Sequence, residues 1–523
     1  MQLQSFTWIH AAGRNSRTIS QIDLDERGKN FGMATATMQA FSAWLGENNI
    51  TLNGVRLELS PEGIHVISTR ALKEDEPLCE VPEDAVLSLN TAANAATEAL
   101  LDAEGSWPDS AVQSLVVAYE QSLGVESKWH PYFAASQAAD SPLLWNDASL
   151  KLLAGTGVDV SARKWRSELR EEHRAMQKYL HKHAVADEPV FAAMAALSLE
   201  SYTQAASLMA SRAFFIDDTH GDALVPAADA FNHKVGLAPD DDEDAGDDEE
   251  GEGEEDGPRP LRQASASLRA EALSSGIDIE MDCSFSSWGE RAADDENEGE
   301  EDGGEEDGGE EDDANEGGVR VGQVAMRALP ANREVCTTYG EYGNRKLLLD
   351  YGFSLADNPL DDAELSWASV EAAGRAVLGE AEWATRVQQL SKTMPCAELD
   401  EAFYFDRSGL PPRELQLLLW LLAADALPAP KHAERRFEAA TTKQRLPARA
   451  KRMLTHAITN QSRQYAFRPG EADGAPKASR KRRAEGGDSE HSAAATPGQL
   501  VSITRLVEGE QRIWQSALAW VTR

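Results

Sequence analysis

Three short stretches set polar side chains that could hold or orient a ligand beside apolar runs. They are "SRAF" (211–214) with Arg212, "PAADAFNH" (226–233) with Asp229, Asn232 and His233, and "TTYGEYGNRKLLLDYGF" (337–353) with Tyr339, Tyr351 and Phe353. A guanidinium can pair with an anion, an amide and an imidazole can hydrogen-bond in either sense, and a phenol hydroxyl can both donate and accept. Taken singly, each has an ordinary explanation. An arginine closing an apolar helix usually snorkels outward, Asn-His usually ends a turn or strand, and buried tyrosines are usually core aromatics with one hydroxyl partner. The four cysteines, Cys79, Cys283, Cys336 and Cys396, form no CxxC or CxC pair. That spacing argues for a reducing compartment and against a zinc cluster, so no metal is expected.

The elements that must position these residues alternate in character along 523 residues, a length that suggests two or three structural units. Met38, Phe41, Trp44 and Leu45 recur at helical spacing, and Asn53-Gly54 then introduces "VRLELS", which alternates like a strand. "GIHVISTRAL" reads as a second strand, followed by the short apolar runs "EDEPLCEVP" and "AVLSLN". From roughly 98 to 220 helical periodicity takes over in "SAVQSLVVAYEQSL", "WRSELREEHRAMQKYLHKH" and "SLESYTQAASLMASRAFF". Strand-like segments return at 223–233, 276–287 and 319–329. Beyond Leu355 the sequence reads as helical, ending in "LVSITRLVEGEQRIWQSALAWV", where Leu506, Ile513, Trp514, Ala517, Leu518 and Val521 fall mostly on one face.

The formal net charge of -39 is concentrated in two runs, 239–256 with thirteen acids and 294–316 with fifteen. Without those 28 charges the remainder carries -11, so the extreme acidity belongs to segments expected to be disordered surface loops. "PKASRKRRAE" (476–485) is a basic cluster that reads either as a nuclear import signal or as ordinary linker charge. The first residues hold both Arg14 and Arg17 and Asp23, Asp25 and Glu26, and lack a secretory h-region. A transit peptide or an extension upstream of a start at Met33 fits them. The longest apolar run, "LQLLLWLLAADAL" (415–427), is shorter than the roughly 20 residues of a membrane span and reads as a core helix of a soluble protein.

In this order the segments "ESKWHPYF", "SPLLWND", "SRAF", "PAADAFNH" and "YGEYGNRKLLLDYGF" resemble the SET-domain protein lysine methyltransferases. The likeness is to the subgroup with a helical insertion in the SET domain and a helical domain like that of the Rubisco large-subunit methyltransferase. The resemblance implies an α+β chain: a β-rich, pseudoknotted SET domain with an inserted helical subdomain, followed by an all-α C-terminal domain. It implies an extension over 1–33, a SET domain over 34–355 and a helical substrate-binding domain over 356–523. Within these, the helical insertion spans about 98–220, acidic loops about 239–262 and 290–317, and a basic linker about 469–496. The pseudoknot would bring 229–233 beside 337–353.

The implied activity is transfer of a methyl group from S-adenosylmethionine to a lysine amine of a protein substrate. The resemblance makes Tyr339 the catalytic tyrosine. It assigns cofactor binding to Glu62, Gly63, Ile64, Arg212, Asn232, His233, Tyr351 and Phe353, with Arg212 on the cofactor's carboxylate. Asp229, Tyr339 and Tyr351 are implied on the substrate side, and Asn344 is expected to fix the turn and helix start between the two tyrosines. The chain departs from the family's pattern where His65 takes a usual glycine place and where "NRE" (332–334) replaces Gly-Glu-Glu. Two other functions fit the same residues: methylation of a histidine, and a non-catalytic acidic binder of basic proteins. Expected partners are a ribosomal or nuclear protein substrate, with no nucleic acid or membrane, for a monomer in the nucleus or cytoplasm. The basic cluster at 480–483 favours the nucleus, and a transit peptide would redirect the chain to an organelle.

Overall fold

The computed structural model describes residues 35–60, 63–103, 107–136, 138–184, 187–217, 220–235, 279–282, 320–393, 402–424, 437, 446–470 and 495–522. The two acidic runs, the basic cluster at 480–483, the extension 1–33 and Glu62 lie outside the described residues. Helix α1 (35–47) buries Phe41, Trp44 and Leu45 on one face, as their spacing predicts. Strands β1 (Thr51–Leu52), β2 (Val55–Ser60), β3 (Gly63–Ser68) and β4 (Pro77–Pro82) follow. β2 and β3 form an antiparallel hairpin pairing Ser60 with Gly63 and Val55 with Ser68.

The expected helical insertion is present as α2 (Ala95–Leu101), α3 (Asp109–Ser122), α4 (His130–Ala135), α5 (Asp147–Leu152), α6 (Val158–Lys182), α7 (Pro189–Ala195) and α8 (Leu199–Arg212). On α6 the buried residues Val158, Ala162, Leu169, His173, Met176 and Leu180 recur every three, four or seven positions. That is the single stripe of a helix lying on a core.

β structure then resumes with β5 (Ala213–Phe215), β6 (Asp222–Leu224), β7 (Asn232–His233), β8 (Ile279–Asp282), β9 (Arg320–Ala325) and β10 (Cys336–Thr337). The main sheet has six strands in the order β1-β4-β9-β8-β10-β7. β10 runs parallel to both β7 and β8. Just before β10, the chain lies along β3. The Val335 N–H donates to the Val66 carbonyl at 2.8 Å and the Ser68 N–H to the Arg333 carbonyl at 2.9 Å. The segment carrying Tyr339 is thus anchored first on the hairpin and then between β7 and β8.

Beyond β10 come α9 (Asn344–Tyr351), β11 (Ala363–Leu365), α10 (Trp367–Leu378), α11 (Glu380–Thr393), β12 (Phe403–Phe405), α12 (Arg413–Ala423), α13 (Ala448–Arg463) and α14 (Pro497–Thr522). The apolar run at 415–427 contributes α12, with Leu415, Leu419 and Leu422 buried. Among the described residues, the C-terminal part is helical apart from one antiparallel pair, β11 with β12. Three-residue strands carry too little alternation to be seen in a sequence.

Two hydrophobic cores result. One joins the hairpin, the sheet and helices α2, α3 and α8. The other joins the C-terminal helices to Trp145, Leu150, Leu153, Val158 and Ala162 of the insertion and to Leu348 of α9. Among the described residues, no helix is long and apolar enough to cross a membrane.

Candidate active site

Tyr339 follows β10, whose pairing with β7 sets Cys336 opposite Asn232 and Thr337 opposite His233. The ladder continues through the Lys234 N–H, which donates to the Thr337 carbonyl at 2.8 Å. The Tyr339 N–H then donates to His233 Nδ1 at 3.0 Å. An accepting Nδ1 requires the His233 proton to sit on Nε2. The Tyr339 hydroxyl donates to the Phe231 carbonyl at 3.1 Å, so both ends of this tyrosine are fixed by the 231–233 segment.

Aromatic rings surround it. Tyr339 stacks on Tyr351 with centroids 4.7 Å apart, and Phe353 meets Tyr339 edge-on at 6.3 Å. His233 lies 5.1 Å from Tyr339 and 6.1 Å from Phe353, and Tyr342 extends the stack from Tyr351 at 6.3 Å. Of the three Tyr-Gly pairs, the first and last carry glycines in positive-φ conformations with steric reasons. At Gly340, with φ +127°, a Cβ would fall 2.5 Å from the Tyr342 ring. At Gly352, the left-handed cap of α9 with φ +76°, it would fall 2.7 Å from the Asp140 backbone.

Asn344 has the expected place. Its Nδ2 donates to the Leu355 carbonyl at 3.0 Å and its Oδ1 accepts the Leu355 N–H at 2.7 Å, closing the chain from the first residue of α9 to the segment after Phe353. Its own N–H donates to Asp361 Oδ1 at 3.1 Å, which stands in for the missing side-chain cap of this helix. Burial pushes the Asp361 carboxyl up to about 6, partly offset by that N–H.

Arg212 ends α8, and its Nη1 meets both Oδ2 and the carbonyl oxygen of Asp229, at 3.0 and 3.1 Å. The Tyr132 hydroxyl donates to the same Oδ2 at 3.0 Å. Asp229 is buried in the first turn of a 3-10 turn that starts at Ala227, whose φ of +71° is unusual for a residue with a Cβ. Burial works against the Arg212 charge, but Asp229, Tyr132 and Tyr339 more than offset it and hold the guanidinium above its ordinary value. The side chain keeps 27% of its surface open, so it can meet an anion while braced from behind. Burial, with Asp229 and Glu80 nearby, pushes the Cys79 thiol well up and leaves it without thiolate character.

Asn232 sits at the other edge. Its Nδ2 donates to the Ile64 carbonyl at 3.1 Å and to Glu334 Oε1 at 2.8 Å. His65 Nδ1 lies 2.6 Å from that same Oε1, and His65 Nε2 lies 2.8 Å from Ser60 Oγ. Gly63 opens β3 in an extended positive-φ conformation, φ +133°.

The segment 229–233 therefore gathers three groups: Arg212 on Asp229, Tyr339 with Tyr351 and Phe353 on Phe231 and His233, and Ile64 on Asn232, whereas Glu62 lies outside the described residues. Three participants carry no role in the sequence reading. Tyr132 belongs to "ESKWHPYF", Tyr342 to the tyrosine motif itself, and Glu334 to "NRE". His65 was legible as a departure from a pattern and Glu334 as the glutamate closing "NRE", but not as partners of each other. Among the described residues, no cluster of histidine, cysteine and carboxylate ligands could hold a metal ion.

No family model matches the chain. An uncharacterized protein of Schizosaccharomyces pombe is 30% identical over 117 residues, 22% of this chain and 23% of the relative's length. Among solved structures, the SET domain of LSMT bound to lysine and AdoHcy matches with a TM-score of 0.57 and 14% identity. That match covers 93% of this chain and 91% of the other. Rubisco LSMT bound to AdoMet matches over the same shares with a TM-score of 0.55 and 14% identity. Rubisco LSMT bound to sinefungin and monomethyllysine gives 0.55 and 15%, again over 93% and 91% of the two chains. At these identities the likeness establishes the fold, that of the SET-domain methyltransferase structures.

Proposed function

We propose that the chain is an S-adenosylmethionine-dependent protein-lysine N-methyltransferase. The observation that carries this reading is the Tyr339 hydroxyl, held on the Phe231 carbonyl inside a wall of Tyr351, Phe353 and His233, with Arg212 and Asn232 gathered by the same 229–233 segment. Structures sharing the fold have been solved with AdoMet, and with lysine or methyllysine beside AdoHcy. Bound S-adenosylmethionine supplies an electrophilic methyl group on a sulfonium.

The residues present fit such a molecule. Arg212, open on one side and braced by Asp229, suits its carboxylate. Asn232 and His233, on the strand beside Tyr339, suit its amino-acid and adenine portions. A lysine ammonium has no lone pair, and roughly one in two thousand is neutral at pH 7. Taking the ammonium out of water lowers its pKa and favours the neutral amine. Tyr339, fixed at its N–H and its hydroxyl, orients that amine and presents a fixed dipole at the reacting centre.

Incubation with methyl-labelled S-adenosylmethionine and a cell lysate tests this, comparing wild type with Tyr339→Phe and identifying the modified residue by mass spectrometry. A labelled lysine is expected with wild type, with the rate falling about 100-fold in Tyr339→Phe. Labelling that persists unchanged in the variant, or appears on histidine, defeats the assignment. No labelled band at all favours a binder.

A further inference from the structure

One position that departs from the resembled pattern, His65, is bonded to the glutamate at which the pattern is kept, Glu334. His65 stands where a glycine is usual and Glu334 ends the "NRE" stretch, 269 residues apart in sequence, with Nδ1 and Oε1 separated by 2.6 Å. A carboxylate oxygen only accepts, so Nδ1 must carry its proton and donate. Nε2 is held in turn at 2.8 Å from Ser60 Oγ, across the β2–β3 hairpin. Glu334 is thereby fixed from one side by an ordered chain that starts on β2.

From the other side the same Oε1 accepts from Asn232 Nδ2 at 2.8 Å, and the second Nδ2 hydrogen goes to the Ile64 carbonyl at 3.1 Å. Which way an asparagine amide points is normally ambiguous, because its two ends differ little in shape. Here the two nearest neighbours are pure acceptors, and the third, His65 Nδ1 at 3.3 Å, has its proton turned to Glu334, so turning the amide over would set Oδ1 against two oxygens. Only one orientation is satisfied. It spends both N–H groups of Asn232 and leaves Oδ1, which no donor reaches among the described residues, as the end the amide can offer a ligand.

We propose that Glu334, held by His65 and Ser60, is a positioning residue that locks the Asn232 amide with Oδ1 as its free end, so that it accepts from the ammonium group of the cofactor's amino acid. This rests on the reading of the site as an S-adenosylmethionine pocket. An ammonium is a donor without acceptor capacity, so an amide locked this way matches it and an amide turned over repels it. Arg212, braced by Asp229, would meet the carboxylate, so the amino acid is recognised at both of its charges by groups of opposite hydrogen-bonding sense. His65, with its ring in place of a bare backbone, acts through Glu334 and not on the ligand.

The test is calorimetric binding of two probes to the whole chain. S-adenosylhomocysteine carries the amino acid, and 5′-methylthioadenosine keeps the adenosine and thioether without it. Glu334→Gln keeps the shape but lets the amide pair in either sense. It is expected to weaken S-adenosylhomocysteine about ten-fold or more while changing methylthioadenosine by less than about two-fold. Asn232→Ala should show the same selective loss, and adding Glu334→Gln to it should weaken S-adenosylhomocysteine no further. Equal losses for both probes, an unchanged affinity for the first, or additive losses in the double variant overturn the positioning role. If wild type binds neither probe, the cofactor reading itself falls, and this inference with it.

Discussion

The Asp229 carboxylate is the residue on which the site's charge balance rests. Its Oδ2 receives Arg212 Nη1 and the Tyr132 hydroxyl, each at 3.0 Å, in a turn where only 3% of the residue is exposed. Replacing it by asparagine keeps the shape and removes the counter-charge, leaving a largely enclosed guanidinium without an anion behind it. Chemical denaturation of Asp229→Asn should show a loss of about 2–4 kcal/mol, with S-adenosylmethionine affinity falling as Arg212 loses its bracing. An unchanged midpoint would mean that water replaces the carboxylate at no cost. Arg212, Asn232, His233 and Tyr339 were legible in the sequence because they lie in three short motifs. Tyr132 was not legible as a partner, since it stands 97 positions from Asp229 and the meeting is made by the path of the helical insertion. The same holds for His65 and Glu334, whose contact exists only once β3 and the chain before β10 lie side by side.

At the scale of the element, α9 is the piece that turns one tyrosine motif into a wall. Its first residue is pinned by Asp361 and Leu355, and its last turn is closed by Gly352, so that Tyr351 and Phe353 emerge on the side of Tyr339. Gly352→Ala must place a methyl group at φ +76° and 2.7 Å from the Asp140 backbone. Left-handed strain and the forced shift of the Asp140 backbone should together cost about 2–4 kcal/mol. Thermal unfolding would register this as a clear drop in Tm, and the displaced Phe353 should slow methyl transfer as well. An alanine variant as stable and active as wild type would show that the cap relaxes freely. The elements themselves divide in how far the sequence shows them. β2, β3 and α6 announce themselves by period, because each has six or more residues with one buried face. β7, β10, β11 and β12 have two or three residues and no measurable period, although the first two align the site.

At the scale of the whole molecule, one side chain ties the motif helix to the C-terminal core. Arg345, in the first turn of α9, forms an ion pair with Glu364 of β11, lies 3.8 Å from Asp362 and 3.9 Å from Glu510 of α14, and sits 5.0 Å over the Tyr404 ring of β12. Its Nε also donates to the Thr156 carbonyl, at 3.1 Å, between α5 and α6. Three carboxylates face one guanidinium, so the cluster is short of positive charge. Glu510 carries the consequence. It is 1% exposed within the apolar stripe of α14, and burial raises its carboxyl well above the ordinary value, against the pull of Arg345 and the Tyr465 hydroxyl. A carboxyl whose folded pKa lies above its unfolded one contributes full stability below the unfolded value, about 4.3, and loses it as pH rises through the folded value. Wild type should therefore lose stability relative to Glu510→Gln as pH rises from about 4.3 through neutrality, since glutamine keeps an acceptor for Tyr465 and never ionises. Comparing the two proteins at each pH removes the background from the 28 acids of the two acidic runs, which both share. Stability curves that run parallel across this range would show that Glu510 folds already ionised, with Arg345 and Tyr465 sufficient to hold its charge between the two cores.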